Sequence, residues 1–474
     1  MRGGTEERLN GKGNGGEEEE ESLWVRKKVW EEVKMIWRIA LPSTMFRVTS
    51  FGTIVVAQSF VGHSGDLPLA AYSLLHNIFV RFLNGLLAGM SSATETLCGQ
   101  AYGAGQNHAM GIYLQRSWII DAAITTVFLP FLLLSGPILR HLGLDSDITS
   151  TVHSLSPCLS PWLVPFVYSL VFSMTMQMYL QAQMKNTVVG VVSALAFGAD
   201  VAISWVLVNK MGLGMVGAML GLNVSGWAIV VAEFVYVSGG WCASTWRGFS
   251  SAAFLDLWPM FKLSISSGFM ICLELWYFGI LVLIAGYTKD AKVAISAFSI
   301  CQYIYAWEFN ICLGFLGAAC VRVANELGRG NAEGVKFSIK VVLSISVVTG
   351  LIFWTLCLVF RHEIAYVFTN SEEIAAAVTD LSTLLAFSIL FNTIQPILSG
   401  MQSLVAVVNL GSYYAVGIPL GLVLTYVFDL GVKGLWIGML GGVAVQTLIL
   451  SCIIYRTDWD IEVEKTRQRL KRWL

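Results

Sequence analysis

The chain has 474 residues, of which 55% are hydrophobic and only 13% are charged, and its formal net charge is −1. A soluble domain carries about 25% charged residues, so this composition excludes an ordinary soluble protein and indicates a polytopic membrane protein. The net charge gives no basis for nucleic-acid binding. No Cys-x-x-Cys pair, His cluster or nucleophile motif is present, so we expect neither an enzyme nor a metal or cofactor site.

The N-terminal segment, residues 1–33, is expected to be a disordered cytoplasmic tail. Its first 22 residues are rich in Gly and Glu. They lack the apolar core and the cleavage site of a signal peptide.

Twelve apolar runs follow, and each is long enough to cross a hydrocarbon core of ~30 Å as a helix. Helices are expected because unpaired backbone groups cannot face lipid. Most of the 30 Lys and Arg residues lie in the two tails and in the even-numbered loops, which predicts that both termini are cytoplasmic. The expected spans are residues 34–60, 68–93, 116–137, 154–180, 188–209, 213–239, 258–286, 292–318, 337–360, 376–398, 404–428 and 434–455.

A short segment after the second span recurs after the eighth. Gln100–Gln106 reads "QAYGAGQ" and Asn325–Asn331 reads "NELGRGN", with the flanking spans in the same register. This repeat predicts an all-α membrane protein with twelve transmembrane helices in two six-helix lobes. The lobes should be related by a pseudo-two-fold axis along the membrane normal, with the substrate path between them. The predicted parts are the tail 1–33, an N-lobe 34–240, a cytoplasmic linker 241–257, a C-lobe 258–455 and a cytoplasmic tail 456–474.

The glycines of the two repeated segments predict tight helix-to-helix turns. Their spacing fits neither Gly-x-Gly-x-x-Gly nor a phosphate-binding P-loop. We therefore interpret Gly103, Gly105, Gly328 and Gly330 as paired hinge loops at the inner gate.

Several longer segments resemble the multidrug and toxin extrusion (MATE) family, in particular its plant DETOXIFICATION branch. The resemblance extends from about Trp30 to the C-terminus. It implies a two-lobed antiporter that exports organic solutes, such as flavonoids and xenobiotics, in exchange for protons. It further implies a monomer in the lipid bilayer of the vacuole (tonoplast) or plasma membrane. The segments are "MSSATETLCGQAYGAGQNHAMGIYLQRSW", "ICLELWYFGILV", "VRVANELGRGN", "QPILSG" and "GVKGLWIGMLGGVAVQTLIL".

Glu274, in the seventh span, is the expected proton-coupling residue. A charged side chain in the middle of a membrane helix costs ~2.5–3.5 kcal/mol, so it requires a reason. Glu274 matches the acidic position that takes part in proton coupling in the family, although a neutral acid that links two helices would also fit. Many members carry a second acid in span ten, where this chain has Asn392. That difference puts two-proton coupling in doubt.

Other polar and aromatic side chains in the spans suit a cavity for flat aromatic solutes, and they suit helix packing equally well. An alternative function is an anion channel on the same scaffold, in which Arg47 and Arg81 would attract the ion. The cavity candidates are Arg47, Tyr277, Gln302, Tyr303 and Glu308.

The loop between spans ten and eleven is short. Met401 and Gln402 follow "QPILSG" directly, where family members carry several more residues. A splice or gene-model variant and a real change at the inner gate both fit this observation.

Overall fold

The structure is a computed structural model that describes residues 6–62, 72, 75–141, 146–285, 291–366, 372–398 and 407–472. Within these ranges the regular structure is entirely helical. The shortened loop after span ten lies outside the described residues.

Twelve long helices account for the twelve expected spans in the same order. The N-lobe contains α1 (Glu6–Gly62), α2 (Arg81–Gly103), α3 (Asn107–Leu133), α4 (Ser146–Ala182), α5 (Thr187–Lys210) and α6 (Gly214–Trp241). The C-lobe contains α7 (Leu257–Ala285), α8 (Ala291–Arg329), α9 (Ala332–Val359), α10 (Glu372–Leu398), α11 (Val407–Val427) and α12 (Gly431–Arg456).

The two lobes pack through equivalent pairs of helices. In one pair α1 of the N-lobe lies against α8 of the C-lobe, and in the other α2 lies against α7. Small residues permit these approaches: a Cβ on Gly89 would lie 2.5 Å from the carbonyl oxygen of Ser267, and a Cβ on Gly314 would lie 2.9 Å from that of Ala40. Since Gly89 and Gly314 are equivalent in the sequence repeat, the repeat is present in the packing as well.

The pseudo-two-fold relation is clearest where α2 meets α8, at the ends that carry the two repeated segments. A Cβ on Gly103 would lie 2.1 Å from the carbonyl oxygen of Asn325, and a Cβ on Gly328 would lie 2.1 Å from that of Gln100. The contact of Gly103 with Asn325 is thus the symmetric equivalent of the contact of Gly328 with Gln100. The two repeated segments lie on the same face of the molecule, as the sequence predicts.

The N-terminal segment differs from the expected disorder. Helix α1 begins at Glu6 and continues without interruption into the first span. Glu32, inside the expected tail, is buried and hydrogen-bonded to Arg322 of α8. The segment is ordered around Glu32 because this acid of α1 pairs with a basic residue of the other lobe, Arg322. The local composition of the segment does not indicate such a long-range pair.

A thirteenth helix, α13 (Trp459–Arg472), follows α12 after a short connection. It packs against α8, α9 and α2. Trp459 packs with Ala332 and Val335, and Leu470 is buried with N-lobe core residues. The C-terminal segment therefore covers the ends of helices from both lobes.

Candidate functional site

A buried polar network joins α8 to α10 inside the C-lobe. The Asn392 amide nitrogen donates to Glu308 Oε2 at 2.7 Å, and Cys312 Sγ donates to Glu308 Oε1 at 2.6 Å. The Tyr305 hydroxyl donates to Asn392 Oδ1 at 3.0 Å. Tyr305, Glu308 and Cys312 lie on one face of α8 because side chains three and four residues apart share a helix face.

The acid of this network is nearly sealed from solvent. Glu308 is 3% exposed and Asn392 is 1% exposed. No cationic side chain in the described part of the chain forms an ion pair with Glu308. A buried carboxylate normally needs a cation or several strong donors, whereas Glu308 has one amide and one thiol, which is a weak donor.

The expected coupling pair is only partly visible. Glu274 lies on α7, but its side chain is outside the described part of the chain, as is that of Tyr303. Asn392 is in place, and its described partners are Glu308 and Tyr305.

The remaining C-lobe cavity candidates occupy different environments. Tyr277 is fully buried and stacks on Tyr413, with 4.5 Å between the ring centroids. Gln302 is half-buried, and its Nε2 has no hydrogen-bond partner among the described residues.

A second polar network lies where the N-lobe meets α8. Gln181 of α4 donates through Nε2 to Glu95 Oε1 of α2 at 2.6 Å, and Ser43 of α1 donates to Gln181 Oε1. A Cβ on Gly317 of α8 would lie 2.5 Å from Gln181 Nε2, so a larger residue there would have to displace the Gln181 side chain. The network therefore connects three N-lobe helices directly beneath a C-lobe helix.

Arg47 lies beside this interfacial network. Its charge interacts with Glu95, and its Nε has no hydrogen-bond partner among the described residues. A guanidinium with an unused donor at the lobe interface is suited to bind an acceptor group of a solute.

A third network ties together the ends of the lobes that the sequence predicts to be cytoplasmic. Arg322 of α8 donates to both carboxylate oxygens of Glu32, from Nε at 2.8 Å and from Nη2 at 2.9 Å. Arg322 also donates to Glu326 at 3.1 Å, and Ser338 of α9 donates to Glu32 at 2.7 Å. We call Glu32, Arg322, Glu326 and Ser338 the cytoplasmic ion network.

The four loop glycines have the geometry of tight turns. Gly105 has φ +74° and Gly330 has φ +78°, a left-handed conformation that favours glycine. Gly103 and Gly328 are the sites of close α2–α8 contact described above. The hinge role of these turns stays a prediction.

Comparisons with known proteins identify the architecture. The MatE family model matches residues 42–206 and 267–427. The chain belongs to the MatE family. It is 65% identical to Protein DETOXIFICATION 24 of Arabidopsis thaliana over 99% of this chain and 95% of that protein, and 62% identical to Protein DETOXIFICATION 25 of the same plant over the same shares.

Solved MATE structures agree with the fold. The crystal structure of the eukaryotic MATE transporter AtDTX14 superposes with a TM-score of 0.87 at 28% identity, covering 93% of this chain and 99% of that one. The Vibrio cholerae MATE transporter VcmN in the bent form superposes with a TM-score of 0.77 over 93% and 99% of the two chains; at 15% identity it supports the fold alone. This chain is therefore a multi-pass membrane transporter of the MATE family with the twelve-helix fold.

Sequence reasoning missed several members of these networks, among them Glu32, Gln181 and Cys312. Glu32 lies in a strongly charged segment, where a single buried acid cannot be distinguished from its exposed neighbours. Gln181 follows Gln177 by four residues, and Cys312 follows Glu308 by four residues. Residues at this spacing share a helix face, so each pair could have indicated a polar face within an apolar span.

Proposed function

We propose that this MATE transporter is a proton-coupled antiporter that moves organic solutes out of the cytoplasm. The observation that carries the proposal is the sealed acid network of the C-lobe, in which Asn392 of the expected coupling pair holds a carboxyl group. A carboxyl without a cation partner in a membrane protein is a group that can take up and release a proton.

The solute should bind between the lobes, near the interfacial network. Arg47 offers an unused donor there, and Glu95 provides an opposite charge beside it. Gln302 on α8 has an Nε2 donor without a hydrogen-bond partner among the described residues, and we keep Tyr303 as a candidate aromatic contact; Tyr277 is buried in the C-lobe core and would contact a solute only if that core opened. Such a mixture of aromatic and polar groups suits flat, hydroxylated organic molecules.

Alternating access would follow from the two-lobed architecture. One repeat rocks against the other about the fixed solute site. The glycine turns at 103–105 and 328–330 and the cytoplasmic ion network lie on the cytoplasmic side, where the lobes would have to separate. The membrane of residence would be the vacuolar or plasma membrane, with both termini in the cytoplasm.

The test is transport by the purified full chain in proteoliposomes with an acidic lumen. Quercetin 3-O-glucoside serves as the aromatic probe. We expect accumulation that collapses when the pH gradient is dissipated, and Glu274→Gln should remove it while Glu274→Asp retains part of it.

Two results would contradict the proposal. Accumulation that is unchanged without a pH gradient would contradict proton coupling. Large anion currents through the wild-type protein, without solute exchange, would favour an anion channel.

A further inference from the structure

We propose that Glu308 of α8 is itself a proton-exchanging residue and that Asn392 of α10 positions it. The proposal rests on the proposed antiport function and specifies a second proton site within it. Span ten supplies an amide, Asn392, and the structure places an acid of the neighbouring helix α8 in contact with that amide.

The hydrogen bonds of Glu308 are compatible with a neutral acid. Its two oxygens accept one amide N–H and one thiol S–H. A neutral carboxylic acid can accept the Asn392 N–H on Oε2 and turn its own O–H on Oε1 towards Cys312 Sγ, a weak acceptor, whereas an ionised one would lack a strong donor on Oε1. Glu308 can therefore lose its proton only when new hydrogen-bond donors reach the carboxylate. Separation of the surrounding helices would open the site to such donors.

The surroundings of Glu308 contain few other charges. On its own helix the titratable neighbours are Cys312 and, through Asn392, Tyr305. On α1 the charge of Arg47 acts on Glu95 and does not contribute at Glu308. On α7 the relevant acid is Glu274, whose side chain lies outside the described part of the chain.

The same region of α8 also faces the other lobe. Trp307, the residue before Glu308, is 40% exposed, and its ring meets Phe51 of α1 edge-on at 5.1 Å. Consecutive residues on a helix point about 100° apart, so Glu308 faces α10 while Trp307 faces the lobe interface. A movement of α1 against α8 therefore acts on the residue next to Glu308. This adjacency can couple proton exchange at Glu308 to the movement of the lobes.

Asn392 acts through Glu308 and is a positioning residue. Its amide nitrogen holds Oε2, and its own oxygen accepts the Tyr305 hydroxyl, which fixes the orientation of the amide. Replacing Asn392 with Ser shortens the side chain and removes this donor. We expect Asn392→Ser to move the midpoint of the pH profile without abolishing transport.

The decisive variant is Glu308→Gln, measured in the proteoliposome assay across a range of pH. Gln keeps the size and can still accept from Asn392, so a purely structural acid would tolerate it. We expect at least a tenfold loss of gradient-driven accumulation of quercetin 3-O-glucoside and a flat pH profile. The matched control is Glu233→Gln, which removes a fully buried acid from α6 of the other lobe. We expect this control to keep the wild-type pH profile.

The outcomes separate the two proposals. A Glu308→Gln variant with wild-type accumulation and pH profile overturns the Glu308 inference. If the wild-type protein shows no gradient-driven accumulation, the antiport function fails for this probe. Infrared titration of the buried carboxyl then still tests Glu308, because a titrating band that is absent from Glu308→Gln supports the inference and a band that persists overturns it.

A folding failure of Glu308→Gln would leave two other variants. Glu308→Asp keeps an acid but shortens its reach to Asn392, so its pH profile should shift, as should that of Asn392→Ser. Wild-type midpoints in both variants would overturn the inference.

Discussion

The cytoplasmic ion network allows a quantitative test of how the lobes are held together. In the pair Glu32–Arg322, both side chains are only 5% exposed, and two hydrogen bonds of 2.8 and 2.9 Å join them. Breaking a buried pair by removing one partner costs ~3–5 kcal/mol, because the other charge stays buried without compensation. Glu326 remains 3.1 Å from Arg322, so we expect Glu32→Gln to lower the free energy of unfolding by about 3 kcal/mol, at the low end of that range.

The assay is an equilibrium denaturant titration of the purified protein in detergent, arranged as a double-mutant cycle. Glu32→Gln, Arg322→Gln and the double variant give the coupling energy of the pair, which we expect to reach about 1–3 kcal/mol. The control is Lys336→Gln, which breaks an exposed pair with Glu333 on the same face. Exposed ion pairs are screened by solvent and contribute little, so this variant should hardly change the free energy of unfolding.

A coupling energy below about 0.5 kcal/mol would refute the reasoning, since distant or independent sites are additive within that error. In that case α1 would not be tied to α8 by charge. The cytoplasmic contact would then depend on the α2–α8 packing at Gly103 and Gly328.

Three further predictions concern the cytoplasmic side. Gly328→Ala should sharply reduce the yield of folded protein, because the new Cβ meets a backbone oxygen that cannot move aside, whereas Gly198→Ala on α5 enters open space and should be tolerated in the same yield assay. Deletion of residues 459–472 should lower the thermal unfolding midpoint by exposing Ala332 and Val335, and an unchanged midpoint would contradict the packing role of α13. Insertion of a typical family loop after Gly400 should alter transport or folded yield, and no change in either would make the shortened loop neutral.

The spans and the repeat could be predicted from the sequence because both depend on local properties. Hydropathy runs locate helices that must cross lipid. The glycine pattern shows where two equivalent turns occur. Helix α2 is a partial exception: its many polar residues, among them Ser91, Thr94 and Glu95, are buried. Such a helix is less apolar than its neighbours because protein, and not lipid, surrounds it.

The pairings at the candidate site could not be predicted in the same way. The sequence suggests Glu274 as the companion of Asn392, which stays a prediction because the Glu274 side chain is outside the described part of the chain; the described partners of Asn392 are Glu308 and Tyr305, which the sequence does not pair with it. A helix that is apolar on all sides carries no periodic signal for which neighbour it will face. The Glu32–Arg322 pair could not be predicted for the same reason, because its two residues are 290 positions apart and meet only through helix packing.

The departures from the repeat place the proposed proton site in one lobe only. The register that aligns Gly103 with Gly328 places Leu83 at the position of Glu308, and Leu83 is buried in the N-lobe apolar core. Symmetric positions thus serve the packing between lobes, while an asymmetric position carries the acid. If both lobes exchanged protons by the same means, Leu83 would have to be polar. A symmetric rocking of the two lobes can therefore still couple to protons through the C-lobe alone in the proposed mechanism. The reason is that this position holds an acid, Glu308, in the C-lobe and an apolar residue, Leu83, in the N-lobe.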